Sequence, residues 1–451
     1  MSTLRSALGL SFLALVGGSC AVHVEGERGE RERALEAGRA FEEDLTPPPL
    51  PEQPGPEDYL RTAFHANAGL RQRYWEWRAA LERIPEAASP PNPALTFSFL
   101  FSDQSMKAWD RTTLGLANDP MTNIRPPNKL AAAGQQALEE ARAAGLRFEA
   151  EKFRLQGEVL ALYLDLAFHA QQIRAQEERI ALLALAAGEA GAALEAGRMS
   201  SAQLIEKETE LDAARNELAN LHAQLPALVA RMNTLLARPP GVFVPLPESL
   251  PEPRALPASD EEILRLAAER SPELAALASE VAGHADALEL ARLARVPDFG
   301  LSFNLMGSVS QSVGGMLILP LRAEAIRAGI EGARAGLRAA DAAREQYARD
   351  LAASFVLDLE VLRNAERQAE LFETTFLPRA ELLVENAQAS YAAGQAELST
   401  VVEAELTRLD AELARAQLRT EREKALVAIE IWSALDVEAL HSVGLGMPGM
   451  R

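Results

Sequence analysis

Cysteine is almost absent from the chain, and its rarity limits what can hold the fold together. Cys20 is the only cysteine among 451 residues, so the chain can form no internal disulfide. Aromatic residues make up 5% of the sequence, whereas Ala, Leu, Glu and Arg are abundant. This composition favours long helices over large globular cores.

Concentrated positive charge is also missing. The formal net charge is -20 at pH 7, and no basic cluster stands out along the chain. Binding to nucleic acid depends on a basic surface that neutralises phosphates. We therefore expect no nucleic acid among the partners.

The sequence lacks the patterns that are typical of catalytic and metal sites. Its six histidines show no HExxH spacing, and no Gly-rich phosphate loop occurs. The carboxylates are spread along predicted helix surfaces rather than grouped at ligand spacing. We expect neither an enzyme nor a bound cofactor.

Long apolar runs are confined to the N-terminus. Arg5 precedes an apolar run over Ala7–Val16, and small residues lead to Cys20, which is typical of a secretory signal peptide over 1–19. No later stretch reaches the roughly 18 consecutive apolar residues that a transmembrane helix needs. A membrane-crossing segment in the mature chain would have to consist of strands.

Cys20 lies where a bacterial lipobox places its cysteine, which is acylated with palmitate-like chains and becomes the mature N-terminus. This resemblance implies a covalent lipid anchor on Cys20, and Ala21 implies sorting to the outer membrane. The alternative is an ordinary signal peptide that is cleaved near Cys20. The following segment, 20–58, is charged and then Pro-rich, so we expect a tether without a core.

A short two-stranded pattern at 297–321 interrupts the helical sequence. Leu301, Phe303 and Leu305 alternate with polar residues, which is the period-two sign of a strand with two unlike faces. One hairpin alone is not stable in water. It must either cover a soluble core or face lipid.

An internal repeat supplies a second hairpin. The segment at 60–70 is echoed by 264–274, and the hairpin at 297–321 has a counterpart at 93–117. Gly197 and Gly394 also correspond, with a hydrophobic pair and an acidic residue after each. Landmarks in one order at a nearly constant separation indicate a duplication.

The hairpins are flanked by very long helical runs. No proline occurs from Asn128 to Ala196, and GRMSS at 197–201 carries the signals of a helix end and a new helix cap. The apolar seam before this turn alternates four-residue and three-residue steps, as in a coiled coil. Its members are Leu155, Val159, Leu162, Leu166, His169, Ile173, Gln176, Ile180, Leu183, Ala187, Ala190 and Leu194.

These observations predict six segments along the chain. They are a signal peptide (1–19), a lipid-anchored Pro/Glu-rich tether (20–58), a first repeat (59–237, hairpin 93–117, coiled coil 128–237), a Pro-rich linker (238–259), a second repeat (260–435, hairpin 297–321, coiled coil 322–435) and a C-terminal tail (436–451). Pro378 falls inside the second long helix, where we expect a kink.

The motifs in this order resemble the TolC-like outer-membrane efflux factors. Leu319-Pro320-Leu321 leads into AIRAGIEGARAGLRAAD, and SYAAGQAELSTVVEAE at 390–405 is similar to the family's turn at the periplasmic helix tip. The resemblance covers about residues 57–435. It implies a mainly α fold in which three chains close a twelve-stranded membrane β-barrel and extend it as an α-helical periplasmic tunnel. The second hairpin is short for the family, near the lower limit of about 9 residues for a tilted membrane strand.

The resemblance also assigns roles to individual residues. Glu403 corresponds to an acidic residue at the periplasmic pore constriction, and Glu206 is its repeat partner. Thr400 and Ala396 stand where the family has an acid and an arginine, whereas Tyr391 keeps its tyrosine. The residues expected at the two adaptor-contacting tips are Gly197, Arg198, Met199, Ser200, Gly394, Gln395, Ala396 and Glu397.

The function implied is that of a passive conduit from periplasm to exterior in a tripartite efflux system. The expected partners are two further copies in a homotrimer, outer-membrane lipid, a periplasmic adaptor and an inner-membrane pump. The alternatives are a periplasmic coiled-coil adaptor and a structural coiled-coil lipoprotein. An adaptor would carry one helical hairpin within a β-rich domain, and a structural lipoprotein would leave the two strand pairs without a role.

Overall fold

The computed structural model describes residues 22–42, 49–101, 105–118, 124–254, 259–308 and 310–433. The chain forms two compact units. As far as their residues are described, the sheet unit contains Met1–Gly38, Arg73–Phe148 and Glu273–Tyr347, and the coiled-coil unit contains Arg39–Gln72, Glu149–Pro272 and Ala348–Arg451. The predicted signal peptide, Cys20 and the tail at 436–451 lie outside the described residues.

The elements follow one order twice. In the described part of the chain, two short helices come first, α1 (Glu27–Ala37) and α2 (Arg39–Glu42). The first repeat contains α3 (Pro56–Ala66), α4 (Ala68–Ala88), β1 (Pro93–Phe99), β2 (Thr112–Asn118), α5 (Pro127–Glu195) and α6 (Ser201–Leu235). The second contains α7 (Asp260–Arg270), α8 (Pro272–Leu293), β3 (Asp298–Met306), β4 (Ser310–Ile318), α9 (Ala323–Leu371), α10 (Leu377–Ala392) and α11 (Leu398–Ser433). The predicted duplication of helix, hairpin and helical hairpin is confirmed.

The two β-hairpins form a single antiparallel sheet in the order β1-β2-β3-β4. Leu116 of β2 pairs with Leu95 on one side and with Phe303 on the other. Phe303 in turn pairs with Val313 of β4. The strands therefore lie in register across both repeats, and β1 and β4 are the edges of the sheet.

An ion pair fixes the start of α5 against the start of β3 within the sheet unit. Lys129 Nζ donates to Asp298 Oδ1 at 2.8 Å and to the carbonyl oxygen of Val296 at 2.7 Å. The lysine side chain is nearly buried, so both acceptors are needed to offset its desolvation. This contact positions the first turn of the long helix beside the sheet.

The segment predicted as a tether is helical and packed in its first part, and this part of the prediction is wrong. The side chains of Val24 and Ala34 are buried, and the Val22 amide donates to the Ala88 carbonyl at 3.1 Å. The Trp77 indole N–H also donates to the buried Glu30 carboxylate at 3.1 Å. The segment itself needs few apolar residues, because Trp77 and Ala88 of α4 provide the surface against which it packs.

The predicted seam of the first helical hairpin is confirmed in the coiled-coil unit. Eight of its members are buried, namely Leu155, Val159, Leu162, Leu166, His169, Ile173, Leu183 and Ala190, and the other four are half-buried. Burying a leucine side chain contributes about 1.5–3 kcal/mol. The polar members are satisfied by α6, since His169 Nε2 lies 2.9 Å from the Leu221 carbonyl and Gln176 donates to the Ala214 carbonyl at 2.8 Å.

The Pro-rich linker is held by charged groups of α11. Arg254 donates to Glu423 at 3.2 Å and to Glu430 at 2.8 Å, and both carboxylates are buried. Arg422 donates to the Arg254 carbonyl at 2.7 Å. The described part of the linker up to Arg254 is therefore fixed by hydrogen bonds rather than by regular secondary structure.

The helix near Pro378 changes its hydrogen-bond pattern where the sequence predicted only a kink. Residues Phe372–Phe376 form a π-helical segment, and the Leu377 amide donates to the Phe372 carbonyl. The wider turn accommodates the proline ring, which would otherwise clash with the carbonyl of the preceding turn. Among the described residues, no helix is both long and apolar enough to cross a membrane.

Candidate functional surfaces

The sheet has two unlike faces, as the alternation in the sequence predicts. One face carries large apolar side chains in register across all four strands, for example Leu95, Leu116, Phe303 and Val313. The opposite face carries small and polar residues in register, namely Thr96, Gly115, Asn304 and Ser312. This arrangement fits a sheet with apolar surroundings on one side and water on the other.

The apolar face of the sheet is open along both edge strands. Leu95 and Phe97 of β1 are 75% and 68% exposed, and Val313 and Leu317 of β4 are 66% and 63% exposed. A contiguous exposed apolar surface indicates contact with a partner or a membrane. β1 and β4 also present unpaired backbone groups, which favour pairing with further strands.

The two β-hairpins are joined at their loop ends as well as along their strands. Asp110 precedes β2, and its Oδ1 accepts a hydrogen bond from the Ser308 amide at 2.8 Å and another from the Ser308 hydroxyl. The hydroxyl bond, followed by the amide bond, lowers the pKa of Asp110 below its usual value. The loop of the first repeat therefore caps the turn of the second.

The first helix tip is capped by its own residues. Gly197 has φ of 68°, and the Arg198 amide donates to the Ala193 carbonyl at 2.8 Å, which closes α5 with a Schellman-type turn. The Ser200 side chain then accepts from the Gln203 amide and caps α6. The predicted tip residues form this turn, and all of them are exposed or half-buried.

The second tip repeats the turn but not the cap. Gly394 has φ of 71°, and the Gln395 amide donates to the Ser390 carbonyl at 2.9 Å. The first amide of α11, that of Leu398, donates to a carboxylate oxygen of Glu189 at 3.3 Å. Glu189 belongs to α5, so the second tip depends on the first repeat for its cap. Nothing in the local sequence around Glu189 marks it as a cap.

The two acids predicted at a pore constriction occupy equivalent positions. Glu206 is the sixth residue of α6, and Glu403 is the sixth residue of α11. Both side chains are exposed in the single chain. Their place in a constriction depends on further copies of the chain and stays a prediction.

Arg408 connects the two helical hairpins, a role that its sequence context did not predict. It donates to Glu405 at 2.8 Å and to Glu412 at 2.6 Å within α11, and to Glu178 of α5 at 3.0 Å. The bond to Glu405 contributes most to raising its pKa above the usual arginine value. A neighbouring pair, Arg179 of α5 with Asp410 of α11, adds a second connection. The spacing of Glu405, Arg408 and Glu412 was visible in the sequence, but the α5 partners were not.

The described part of the chain contains no group of three or more His, Cys, Asp or Glu side chains that could hold a metal ion. The helix tips and the sheet present exposed carboxylates, turns and apolar strands.

The sequence matches no protein-family model and no curated protein. A membrane protein from Pseudomonas aeruginosa shares the fold with a TM-score of 0.69 and 18% identity, over 84% of this chain and 93% of that chain. The outer membrane protein VceC from Vibrio cholerae gives a TM-score of 0.68 and 14% identity, over 87% and 96% of the two chains.

The open state of the MtrE outer membrane channel from Neisseria gonorrhoeae is similar too. It gives a TM-score of 0.66 and 15% identity, over 85% of this chain and 90% of that chain. The chain therefore has the fold of these membrane proteins along most of their length. The resemblance seen in the sequence motifs is confirmed at the level of the fold.

Proposed function

We propose that this chain is one subunit of a trimeric outer-membrane channel, which conducts exported substrates passively from the periplasm to the exterior. A lipid on Cys20 anchors it, and the tips at Gly197–Ser200 and Gly394–Glu397 meet a periplasmic adaptor that is coupled to an inner-membrane pump. The observation that carries the proposal is the four-stranded sheet with one exposed apolar face and two open edges.

Lipid accounts for both unusual features of the sheet. An apolar face is stable against hydrocarbon, whereas its exposure to water is unfavourable by about 25 cal/mol per Å². Hydrocarbon cannot satisfy backbone groups on an open edge, so edge strands in a membrane must pair. Pairing β4 of one copy with β1 of the next satisfies both edges, and three copies give a closed barrel of twelve strands.

The strand lengths place a condition on this proposal. β3 and β4 have 9 residues each, whereas β1 and β2 have 7 each. The first hairpin is therefore the shorter one, although the sequence analysis singled out the second. A tilted membrane strand needs about 9–11 residues. The Leu100 amide donates to the Arg111 carbonyl at 2.9 Å, so the hairpin pairing continues beyond β1. The exposed Phe101 continues the alternation of Leu95 and Phe97 past the end of the strand.

The helix tips supply the periplasmic end in this proposal. Three copies of Glu403 around an axis form a ring of carboxylates, and three copies of Glu206 form another. Rings of acidic side chains attract cations and select against anions. The substrate is set by the pump, because a wide aqueous tunnel has few contacts that discriminate.

The alternative functions fit the described elements less well. A periplasmic adaptor predicts one helical hairpin within a β-rich domain, whereas the described residues contain two helical hairpins and one small sheet. A structural coiled-coil lipoprotein leaves the apolar face of the sheet without a purpose. The channel function explains both the sheet and the duplicated hairpins.

Conductance in planar bilayers tests the proposed function with a matched pair of variants. Phe97 and Ser98 are neighbours in β1 on opposite faces of the sheet. Phe97→Lys should reduce bilayer insertion, since a lysine on the lipid face costs about 2–4 kcal/mol near the midplane. Ser98→Lys should insert normally and shift the ion selectivity towards anions. A chain that stays monomeric and never conducts, or a pair with equal insertion losses, would contradict the proposal.

A further inference from the structure

The second helical hairpin contains one residue more than its coiled-coil period requires. In α9 the buried positions Leu351 and Ala365 are two heptads apart. In α10 the buried positions Leu377 and Val384 are one heptad apart. Between the two helices, however, Ala365 and the buried Ala380 are separated by two heptads and one further residue. This additional residue must be taken up between Ala365 and Leu377.

The π-helical segment Phe372–Phe376 takes up this residue. Its i→i−5 hydrogen bond encloses one residue more than an α-helical turn, and the Leu377 amide makes that bond to the Phe372 carbonyl. An α-helix over the same residues would turn the α10 seam by about 100° away from the α9 seam. The π segment therefore keeps one buried seam continuous from α9 into α10.

A second apolar seam, on the exposed side of the same helices, shows the same single-residue offset. Leu357 and Leu371 are two heptads apart, Val361 and Phe376 are two heptads and one residue apart, and Phe376 and Leu383 are one heptad apart. These five side chains are 43% to 65% exposed. We name them the outer seam. The π segment therefore keeps the outer seam continuous as well. Among the described residues of the same chain, no helix covers this coiled-coil face.

The first repeat offers a face of matching shape and period. On α5 the positions Ala181, Leu185, Gly188 and Ala192 are all exposed and follow four-three-four spacing. A side chain added at Gly188 would meet no atom within 4 Å, so this face is open. Small side chains on one helix leave room for large side chains of another, as in knobs-into-holes packing.

The two faces also lie at the same level relative to the helix tips. Leu383 lies about three helical turns before the tip glycine Gly394, and Leu185 lies about three turns before its counterpart Gly197. Beside Leu383 and Phe376, a groove of about 420 Å³ opens towards α11 and is lined mainly by apolar side chains. A leucine side chain from a neighbouring helix fits a groove of this size.

We infer that the outer seam of one copy packs against the Ala181–Ala192 face of α5 in the next copy, with Leu185 in the groove. This inference rests on the trimer of the proposed function. It joins the second repeat of one copy to the first repeat of the next, and pairing β4 with β1 does the same. Both contacts are head-to-tail and run in the same sense around the ring, as in a closed ring of identical subunits.

Cysteine cross-linking of the purified protein tests the inference. The chain carrying Leu383→Cys and Leu185→Cys should give covalent dimers and trimers with a short bis-maleimide. The matched control carries Glu385→Cys with Leu185→Cys, because Glu385 is exposed and lies about 200° around the helix from Leu383. We expect at least tenfold less cross-linked product from the control. The unsubstituted chain, with Cys20 alone, sets the background.

The outcomes separate this inference from the proposed function. A trimer by light scattering without cross-linking above the control would overturn the inference and leave the channel intact. A cross-link found only within the monomer band would also overturn it, since the outer seam would then be covered by its own chain. A protein that is monomeric throughout and shows no conductance would refute both. Leu383→Asp should lower the trimer fraction at unchanged helix content, whereas Glu385→Lys should not.

Discussion

The two helical hairpins share one order of elements but differ in how much of their structure each supplies for itself. The first runs as uninterrupted α5, has one regular seam, and caps its return helix with Ser200. The second contains a π segment and takes its cap from Glu189 of the first. It also takes Glu178 of α5 as a partner for Arg408. The second hairpin therefore depends on the first for these contacts.

The first hairpin holds its own position, whereas the position of the second depends on contacts with the first. A hairpin with a single uninterrupted seam needs only its own two helices to hold its register. A hairpin whose cap and ion pairs come from elsewhere moves with its partner or loses those contacts. A change in one hairpin can therefore be compared with a matched change in the other.

The largest contrast is expected from deleting one exposed glutamate in each hairpin. Deletion of Glu177 in α5 should lower the free energy of unfolding by about 3 kcal/mol or more, because Leu183 and the seam positions beyond it rotate out of the core. Deletion of Glu373 removes the additional residue and should restore an unbroken heptad spacing. Its effect should stay within about 1 kcal/mol. Thermal unfolding followed by circular dichroism measures both.

The Glu373 deletion should be made in a chain that also carries Pro378→Ala. Without the π segment, the proline ring would clash with the preceding α-helical turn. Pro378→Ala alone is therefore the control for this arm. Equal losses from the two deletions would show that the π segment does not take up an additional residue.

A smaller contrast is expected for two arginines. Arg408→Met should cost about 1–2 kcal/mol, because its bonds to three carboxylates include one to α5 and its side chain is only 25% exposed. Arg215→Met in α6 should cost less than about 0.5 kcal/mol, because the Arg215–Asp212 pair is exposed and local. Chemical denaturation of both variants gives the comparison. A cost for Arg215→Met equal to that of Arg408→Met would argue against a tie between the hairpins.

The smallest contrast is expected at the helix caps. Ser200→Ala should destabilise the start of α6 by about 1 kcal/mol. Glu189→Ala should destabilise the start of α11 by about 0.5 kcal/mol, although the substituted residue lies in α5. Hydrogen exchange resolves the two ends. Faster exchange at Leu398–Val401 in Ser200→Ala, or at Ser201–Leu204 in Glu189→Ala, would show that the caps are not separate.

Most of the elements could be predicted because their signals are local. Period-two alternation located all four strands, and four-three spacing located the α5 seam. The turn glycines Gly197 and Gly394 marked both tips, since a left-handed residue after a helix favours glycine. The alternation also predicted which face of the sheet is apolar.

The errors arose where distant residues supply what a segment lacks. The segment 22–37 has too few apolar residues for a core of its own. It is packed because Trp77 bonds to Glu30 and Ala88 bonds to Val22. Pro378 predicted a kink, but the additional residue before it decided the local hydrogen bonding. The Glu189 cap and the α5 partners of Arg408 were equally invisible in the sequence.

The sequence by itself determined the repeat, the order of helices and strands, and the apolar face of each element. These properties follow from the spacing of side chains along a chain whose helical and extended periods are known. Only the tertiary structure decided the pairing of β2 with β3, the docking of α1, the π segment and the cap of α11. Each of these depends on atoms far apart in sequence, and their contact is set by the packing of whole elements.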